Sequence, residues 1–457
     1  MASSFPTTSK WKFATKHGNI TFHAIFTMTF QDFVSRFSAI CTIGLMSVLA
    51  VAPQGQPLRQ ENLLNGLRVL LWNDPAASSV SMKLRIHAGA AFDPQGKEGT
   101  MCLLADAFFP TNESREFFSD DLGGSLNIIC NYDYIEIDAT SKPESYLTLF
   151  ETVGGAITNP QLDRQTTDAL KAKLVTRLAA DEKNATIAAD LAVRRRLLGT
   201  FPYGRPVIGS SQSIKTVDFA DLKIALDRLF GADNATLAVA GNFDANNGFR
   251  AIRRYFGSWL KSDKKVPSTF RMPDPPPAGT QILESPETGI TEIRYAIRGV
   301  ARNDKDFVAA SILAKVIEQR IRSKAPAGQR DNVWAKSYSN VLPGVVVIGF
   351  SRIQREISAA VTGEKPKVEA NDVVANALNE KVSDAEYAVA KNAVFAELNK
   401  TDAVTRWLDA DTFKFASVKA DQSAADSVTS ADVQRLADQM RQQPVASVLL
   451  LTQKTSD

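Results

Sequence analysis

Histidine is nearly missing from this chain: 457 residues contain only His17, His23 and His87. The first two precede an apolar stretch that reads as an export signal, so His87 stands alone in the mature part. That excludes a metal centre built on two imidazoles. Hydrolytic zinc is usually held by three protein ligands of the His/Glu type, with a fourth position left for water. Cysteine is scarce too. Cys41 falls inside the apolar stretch, which leaves Cys102 and Cys130 and at most one internal disulfide. Neither sign of charge is in excess. Residues 1–52 carry Lys10, Lys12, Lys16 and Arg36 against Asp32, and the remainder balances 49 basic with 49 acidic side chains. The mature chain therefore offers no electrostatic case for nucleic acid or an anionic membrane surface. Long apolar runs are also absent. The best candidate, Ser38 to Ala52, is about fifteen residues, short of the ~20 that a spanning helix needs, so no membrane span is expected in the mature chain.

That short run follows Arg36 and ends in Ala50-Val51-Ala52 before Pro53. An apolar core closing on small residues is the pattern of a secretory signal peptide, with cleavage expected after Ala52. A start at Met28 would give a signal of more usual length; retention as an anchor is the alternative. Export places the chain in the periplasm or outside the cell, where disulfides persist.

What remains is long enough for two domains. Leu67 to Leu71, Val80 to Ala88 and Tyr132 to Thr140 alternate apolar with polar residues and predict strands. Gly99 to Phe109, Leu162 to Asn184, Asp218 to Leu229 and Ala245 to Trp259 have helical spacing, and Ala235 to Val239 predicts a closing strand. Lys261 to Gly279 is charged and then proline-rich, an extended connector. Beyond it the order repeats. Glu292 to Ile317 matches Arg85 to Phe109 in giving strand, turn, acidic residue and apolar helix. Glu386 to Leu398 gives a further helix, and Ser430 to Met440 then Ala446 to Leu451 give the helix-strand ending. The expected class is α+β: two tandem homologous domains, each a mainly antiparallel sheet with helices packed on one face. The expected boundaries are a leader and signal at 1–52, domains at 53–262 and 283–457, and a linker at 263–282.

Several short stretches carry a resemblance. They are Asn65-Gly66-Leu67-Arg68-Val69, His87-Ala88-Gly89-Ala90 with Asp93, Gly123-Gly124-Ser125-Leu126-Asn127, Phe201-Pro202-Tyr203-Gly204-Arg205-Pro206 with Gly209, and Asn234-Ala235-Thr236 with Gly241-Asn242. In order and spacing, over about residues 60–450, they resemble the insulinase/pitrilysin metallopeptidases, which include mitochondrial processing peptidase subunits and short bacterial relatives. Active relatives carry H-x-x-E-H on a helix. Positions i, i+3 and i+4 share a helical face, so two histidines and a glutamate converge on one metal and its water. Here the resemblance sets Cys102 in the first histidine position, Ala105 in that of the general base and Asp106 in that of the second histidine. The third ligand, a glutamate in the family, falls at Arg177, with Glu182 the nearest carboxylate that could replace it.

The resemblance thus implies a peptidase fold with a degenerate zinc motif, no cofactor and no catalytic residues. Opposite charges at two former ligand positions suggest an Asp106–Arg177 ion pair in the volume of the metal. The resemblance places Asn127, Ile128, Ile129 and Cys130 on the strand that faces this helix and receives substrate. Cys102 and Cys130 there form either a disulfide or two buried thiols. His87 matches no ligand position and is expected to be packed or hydrogen-bonded. In non-catalytic halves of the family an arginine and a tyrosine hold the substrate backbone. Arg320, with Arg322 nearby, fits the arginine; Trp334 fills the tyrosine position, and Tyr338 is the neighbouring candidate. The implied role is a non-catalytic subunit of an exported peptidase heterodimer, positioning peptides for a zinc-bearing partner. A stand-alone peptide binder is the alternative. An atypical active metallopeptidase using Cys102, Asp106 and Glu182 is a third reading.

Overall fold

Alternation along one strand shows how each half is built. Val80–Ile86 (β3) sends Val80, Met82, Leu84 and Ile86 into a core, where all four are fully buried, and turns Ser81, Lys83 and Arg85 the other way. The computed structural model describes residues 58–262, 270–325, 327–353 and 370–452. The expected signal segment lies outside these residues.

The first sheet also contains β1 Arg59–Asn62, β2 Arg68–Asn73, β4 Ser125–Cys130, β5 Ile135–Ser141 and β6 Ala235–Gly241. The second has β7 Thr280–Glu284, β8 Thr291–Arg298, β9 Val333–Tyr338, β10 Val345–Ile353 and β11 Ala446–Leu451. The helices are α1 Thr100–Asp106, α2 Asn112–Asp120, α3 Tyr146–Thr158, α4 Arg164–Asp181, α5 Ala185–Leu198, α6 Ser211–Thr216, α7 Phe219–Leu229 and α8 Ala245–Phe256 in the first half. The second half has α9 Phe307–Lys324, α10 Ala370–Asn379, α11 Asp384–Asn399, α12 Ala403–Thr412, α13 Ala420–Ser427 and α14 Ser430–Arg441.

The strand orders are β1-β2-β6-β3-β5-β4 and β7-β11-β8-β10-β9. Without β1 the first order maps strand for strand onto the second. In both, the first pair is parallel and the others antiparallel. The duplication expected from sequence is therefore present as topology. Strand β7 begins inside the stretch expected as linker.

Each sheet carries its own helices on one face, and its other face is covered by a helix from the opposite half. Helix α5 lays Ala189, Val193 and Leu197 against Ala296, Val347 and Val448 of the second sheet. Helix α12 lays Leu408 against Leu70 and Ala238 of the first. Both exchanges bury an arginine on the covered face. Arg85 bonds Glu136 and, from α12, Asp409 at 2.7 Å, with its guanidinium over Tyr134. Arg294 bonds Glu292 and, from α5, Asp190 at 2.5 Å, near the face of Trp334. A buried cation must be paired and hydrogen-bonded to be tolerated. These two are paired across the halves. No helix among the described residues is long and apolar enough to cross a membrane.

Candidate functional site

Helix α1, where the metal motif would stand, is capped from outside. Its first turn has free N–H groups. Asp93 accepts from the N–H of Gly99 at 2.7 Å and of Met101 at 2.8 Å. Burial pushes the Asp93 carboxyl up to about 7, against the pull of those two donors.

Cys102 on α1 is bonded to Cys130 at the end of β4, with their Cα atoms 5.4 Å apart. Of the two expectations the disulfide is present. Ala105 is buried. Asp106 does not meet Arg177, which corrects the expected ion pair. Arg115, at the next helix, reaches back to Asp106 at 2.8 Å and also binds the Phe109 carbonyl at 2.9 Å. Helix α4 buries Thr167, Leu170, Leu174 and Leu178 at helical spacing, and Arg177 falls off that stripe into solvent. Glu182 is spoken for by the N–H and hydroxyl of Ser211, at 2.7 and 2.8 Å. These groups do not fit a zinc ion: one sulfur is in a disulfide, one carboxylate is paired with a guanidinium and the other caps α6. No group of three or more His, Cys, Asp or Glu able to hold a metal occurs among the described residues.

The expected substrate strand is the edge of its sheet. Among the described residues strand β4 pairs only with β5, Asn127 facing Asp138 and Ile128 facing Ile137. The hairpin closes with the Asn131 N–H donating to the Tyr134 carbonyl, while the Asn131 side chain accepts from the N–H groups of Asp133 and Tyr134. Antiparallel pairs alternate between bonded and non-bonded. From that closing pair, Asn127 and Ile129 bond inward to β5, and the backbone groups of Leu126, Ile128 and Cys130 face the open edge.

Two glycines of the recognised motifs are required here. A Cβ on Gly89 would lie 2.2 Å from the Asn131 carbonyl oxygen, where the next two N–H groups, of Ala90 and Ala91, dock the hairpin. A Cβ on Gly124 would lie 2.0 Å from the Thr140 oxygen. The Pro-Tyr-Gly stretch also serves this hairpin. Tyr203 donates to Asp133 at 2.6 Å and accepts from the Leu342 N–H, while the Val341 N–H donates to Asp133. Burial raises the pKa of both Asp133 and Tyr203. The hairpin tip is thereby tied to the second half.

Beside it lies a cavity of about 660 Å³. Its apolar lining includes Leu178, Ile187, Leu191 and Ile208, and Asn131, Tyr132, Arg194 and Tyr338 are at its rim and walls. Of the three residues expected to position substrate from the second half, Tyr338 reaches this cavity. Arg320 does not. Its five N–H donors are all used inside the second half: two on Glu386, and the others on the carbonyls of Ala377, Glu380 and Lys381. Arg322 is held by Glu318 and the Val333 carbonyl. Trp334 donates its indole N–H to Ser351 at 3.1 Å and packs near Arg294. The expected Arg320–Trp334 grip is therefore corrected: these residues hold the second half together.

His87 is packed and hydrogen-bonded as expected, between Thr236 at 3.1 Å and Thr412 at 3.3 Å, with Asp411 beside it. Burial holds its pKa below the usual imidazole value. Sequence reading missed Arg194 and Asp133. The signal for Arg194 was the helical spacing Ile187, Leu191, Arg194; Asp133 had only its place in a hairpin turn.

A family model described as "Insulinase (Peptidase family M16)" matches residues 68–210, and one described as "Peptidase M16 inactive domain" matches residues 216–394. Among curated proteins, the chain is 23% identical over 259 residues to mitochondrial-processing peptidase subunit beta of Saccharomyces cerevisiae, covering 55% of this chain and 56% of that protein. It is 25% identical over 208 residues to an uncharacterized zinc protease of Mycobacterium tuberculosis, covering 44% and 47%. The chain spans about half the length of the curated relatives it matches. Among solved structures, a protease from Helicobacter pylori superposes with a TM-score of 0.73 at 16% identity, over 86% of this chain and 99% of that one. A peptidase M16 inactive domain from Pseudomonas fluorescens superposes with a TM-score of 0.71 at 16% identity, over 87% and 99%.

Proposed function

The chain belongs to the insulinase family, peptidase family M16, and from that premise we propose that it is a non-catalytic member that holds extended peptides as the auxiliary subunit of an exported zinc peptidase. The observation that carries this is the Cys102–Cys130 bond, which takes the first ligand position out of metal chemistry and ties helix α1 to the edge strand. An activated water needs a metal or a positioned base, and Ala105 supplies no base. The edge strand keeps its outward backbone groups, and strand addition at a sheet edge needs nothing else to bind an extended peptide. The third reading, an active site of Cys102, Asp106 and Glu182, is abandoned, because each side chain is already committed. The heterodimer with a zinc-bearing chain and the periplasmic or secreted location belong to this proposal. They follow the signal pattern and the family's division of labour.

One observation favours the stand-alone reading instead. Arg320 has no donor left for a substrate shared with a partner. The test is purification of the tagged chain from its native envelope fraction, with mass identification of stoichiometric partners. A one-to-one partner bearing H-x-x-E-H supports the auxiliary subunit. Recovery of the chain alone, still binding unfolded peptide, refutes it and leaves a metal-free peptide holder.

A further inference from the structure

Most deeply placed arginines of this protein are matched to an acid: Arg85 with Asp409, Arg294 with Asp190, Arg302 with Asp421, Arg320 with Glu386. Arg194 is different. It is half-buried on α5 and lines the 660 Å³ cavity. Its guanidinium lies 4.2 Å from the ring centre of Tyr338, and no carboxylate among the described residues forms an ion pair with it. Asp190, one turn back on the same helix, is held by Arg294 at 2.5 Å. Ile187 and Leu191 continue the same helical face away from Arg194, about 10 Å of apolar wall at 1.5 Å per residue. Asp181 and Glu182 stand beyond the start of α5, at the opposite end from Arg194, so a carboxylate in the cavity is drawn to one end only.

Strand β4 supplies the path, and the guanidinium of Arg194 in the cavity selects the chain direction. It runs from Ser125 to Cys130, and the next two residues, Asn131 and Tyr132, line the cavity. A chain added parallel to β4 on its open edge therefore carries its C-terminal end past Cys130 and into the cavity. Its last side chain would meet Leu191 and Ile187, and its carboxylate would meet Arg194. A guanidinium beside an apolar, partly desolvated wall binds a carboxylate more strongly than one in water, through charge-assisted, often paired hydrogen bonds.

We propose that the cavity captures the free C-terminus of an apolar peptide, with Arg194 binding the terminal carboxylate and Ile187 and Leu191 the last side chain. This rests on the peptide-holding reading and names which peptides are held: ends, not internal segments. The occupant is a peptide rather than a fatty acid because the cavity continues the open backbone edge of β4, which only a polypeptide can satisfy.

The test uses the full chain and an apolar hexapeptide labelled at its N-terminus, as the free acid and as the C-terminal amide, read by fluorescence anisotropy. The acid is expected to bind at least tenfold more tightly. Arg194→Gln abolishes that preference, Arg194→Lys keeps part of it, and Leu191→Trp, which fills the cavity, weakens both peptides, since acid and amide share the last side chain. Equal affinity of acid and amide for the unaltered protein overturns the proposal without any variant, and so does a preference that survives Arg194→Gln. Decanoate is the lipid control: displacement of the peptide acid only at far higher concentration supports a peptide occupant, and displacement at equal concentration overturns it. If neither peptide binds, the peptide-holding reading fails too, an outcome distinct from equal binding.

Discussion

Removing the Cys102–Cys130 bond should cost this protein stability in an amount set by the loop it closes. The bridge spans 28 residues, and loop-closure entropy gives about 3.5 kcal/mol for a loop of that length at 25 °C. The loop contains α1, the turn to α2, α2 itself and β4, so the constraint falls on the elements that form the candidate site. Urea unfolding followed by tryptophan fluorescence measures it. Reductant should lower the unfolding free energy of the unaltered protein by roughly that amount, and Cys102→Ala/Cys130→Ala should lower it similarly, since two methyl groups at a mostly buried site lose little packing. Reductant should then do nothing further to the variant. Peptide affinity should fall in parallel, because β4 is no longer pinned to α1. A curve indifferent to reductant would refute the reasoning. So would peptide mapping of the unreduced protein that recovers Cys102 and Cys130 separately alkylated.

Arg320→Gln should destabilise the second half by at least about 1.5–3 kcal/mol, the usual worth of one hydrogen bond to a charged group, while leaving peptide affinity unchanged; thermal denaturation and anisotropy read the two separately. Its partner gives a pH signature. The Arg320 hydrogen bonds hold the Glu386 carboxyl down at about 2 against an ordinary 4.5. The stabilisation is therefore full above about 4.5 and is lost as the pH falls towards 2. The stability gap between the unaltered protein and Glu386→Gln should narrow over that window, and a gap constant with pH would refute the assignment. Zinc chloride and chelator should each leave the melting temperature unmoved; a rise with zinc would show a binding site that the paired ligands of α1 do not offer. Asp409→Asn should cost roughly 3 kcal/mol, the low end for breaking a buried ion pair, because Glu136 remains on Arg85.

Much of the fold was legible because apolar periodicity survives in both halves. Val80 to Ala88 and Tyr132 to Thr140 alternate as strands do, and their ends differ from the structure by turn residues such as Tyr132 and Asp133. That the positions matched to the metal motif hold neither histidine nor glutamate was legible at Cys102 and Ala105, since residue identity needs no coordinates. What residue identity could not give was the partner of each charge. Asp106 had Arg177 and Arg115 within plausible reach, and the choice depended on where the turn after α1 placed α2. Arg320 illustrates the same limit. Its match to a family position was a statement about sequence, and three of its five inward hydrogen bonds depend on carbonyls at and just after the end of α10, whose orientation no motif encodes. Arg194 went unnoticed because its significance is the absence of an acidic partner among the described residues.

The exchange of α5 and α12 makes the proline-rich connector a boundary of sequence rather than of folding. A first half expressed alone, residues 58–262, would keep its main core but lose α12. Leu70 and Ala238 would then be uncovered, and Arg85 would stand at the surface without Asp409. The larger loss is on α5, whose Ala189, Val193 and Leu197 pack against the second sheet and would face water. An apolar helix face of that kind is an association surface. The isolated half should therefore be aggregated or oligomeric by size-exclusion chromatography, and co-expression with residues 270–452 should return a one-to-one complex the size of the intact chain. A monodisperse first half, with Arg85→Met no more stable than the parent, would mean that α5 folds back on its own domain and that the exchange is not what holds the halves together.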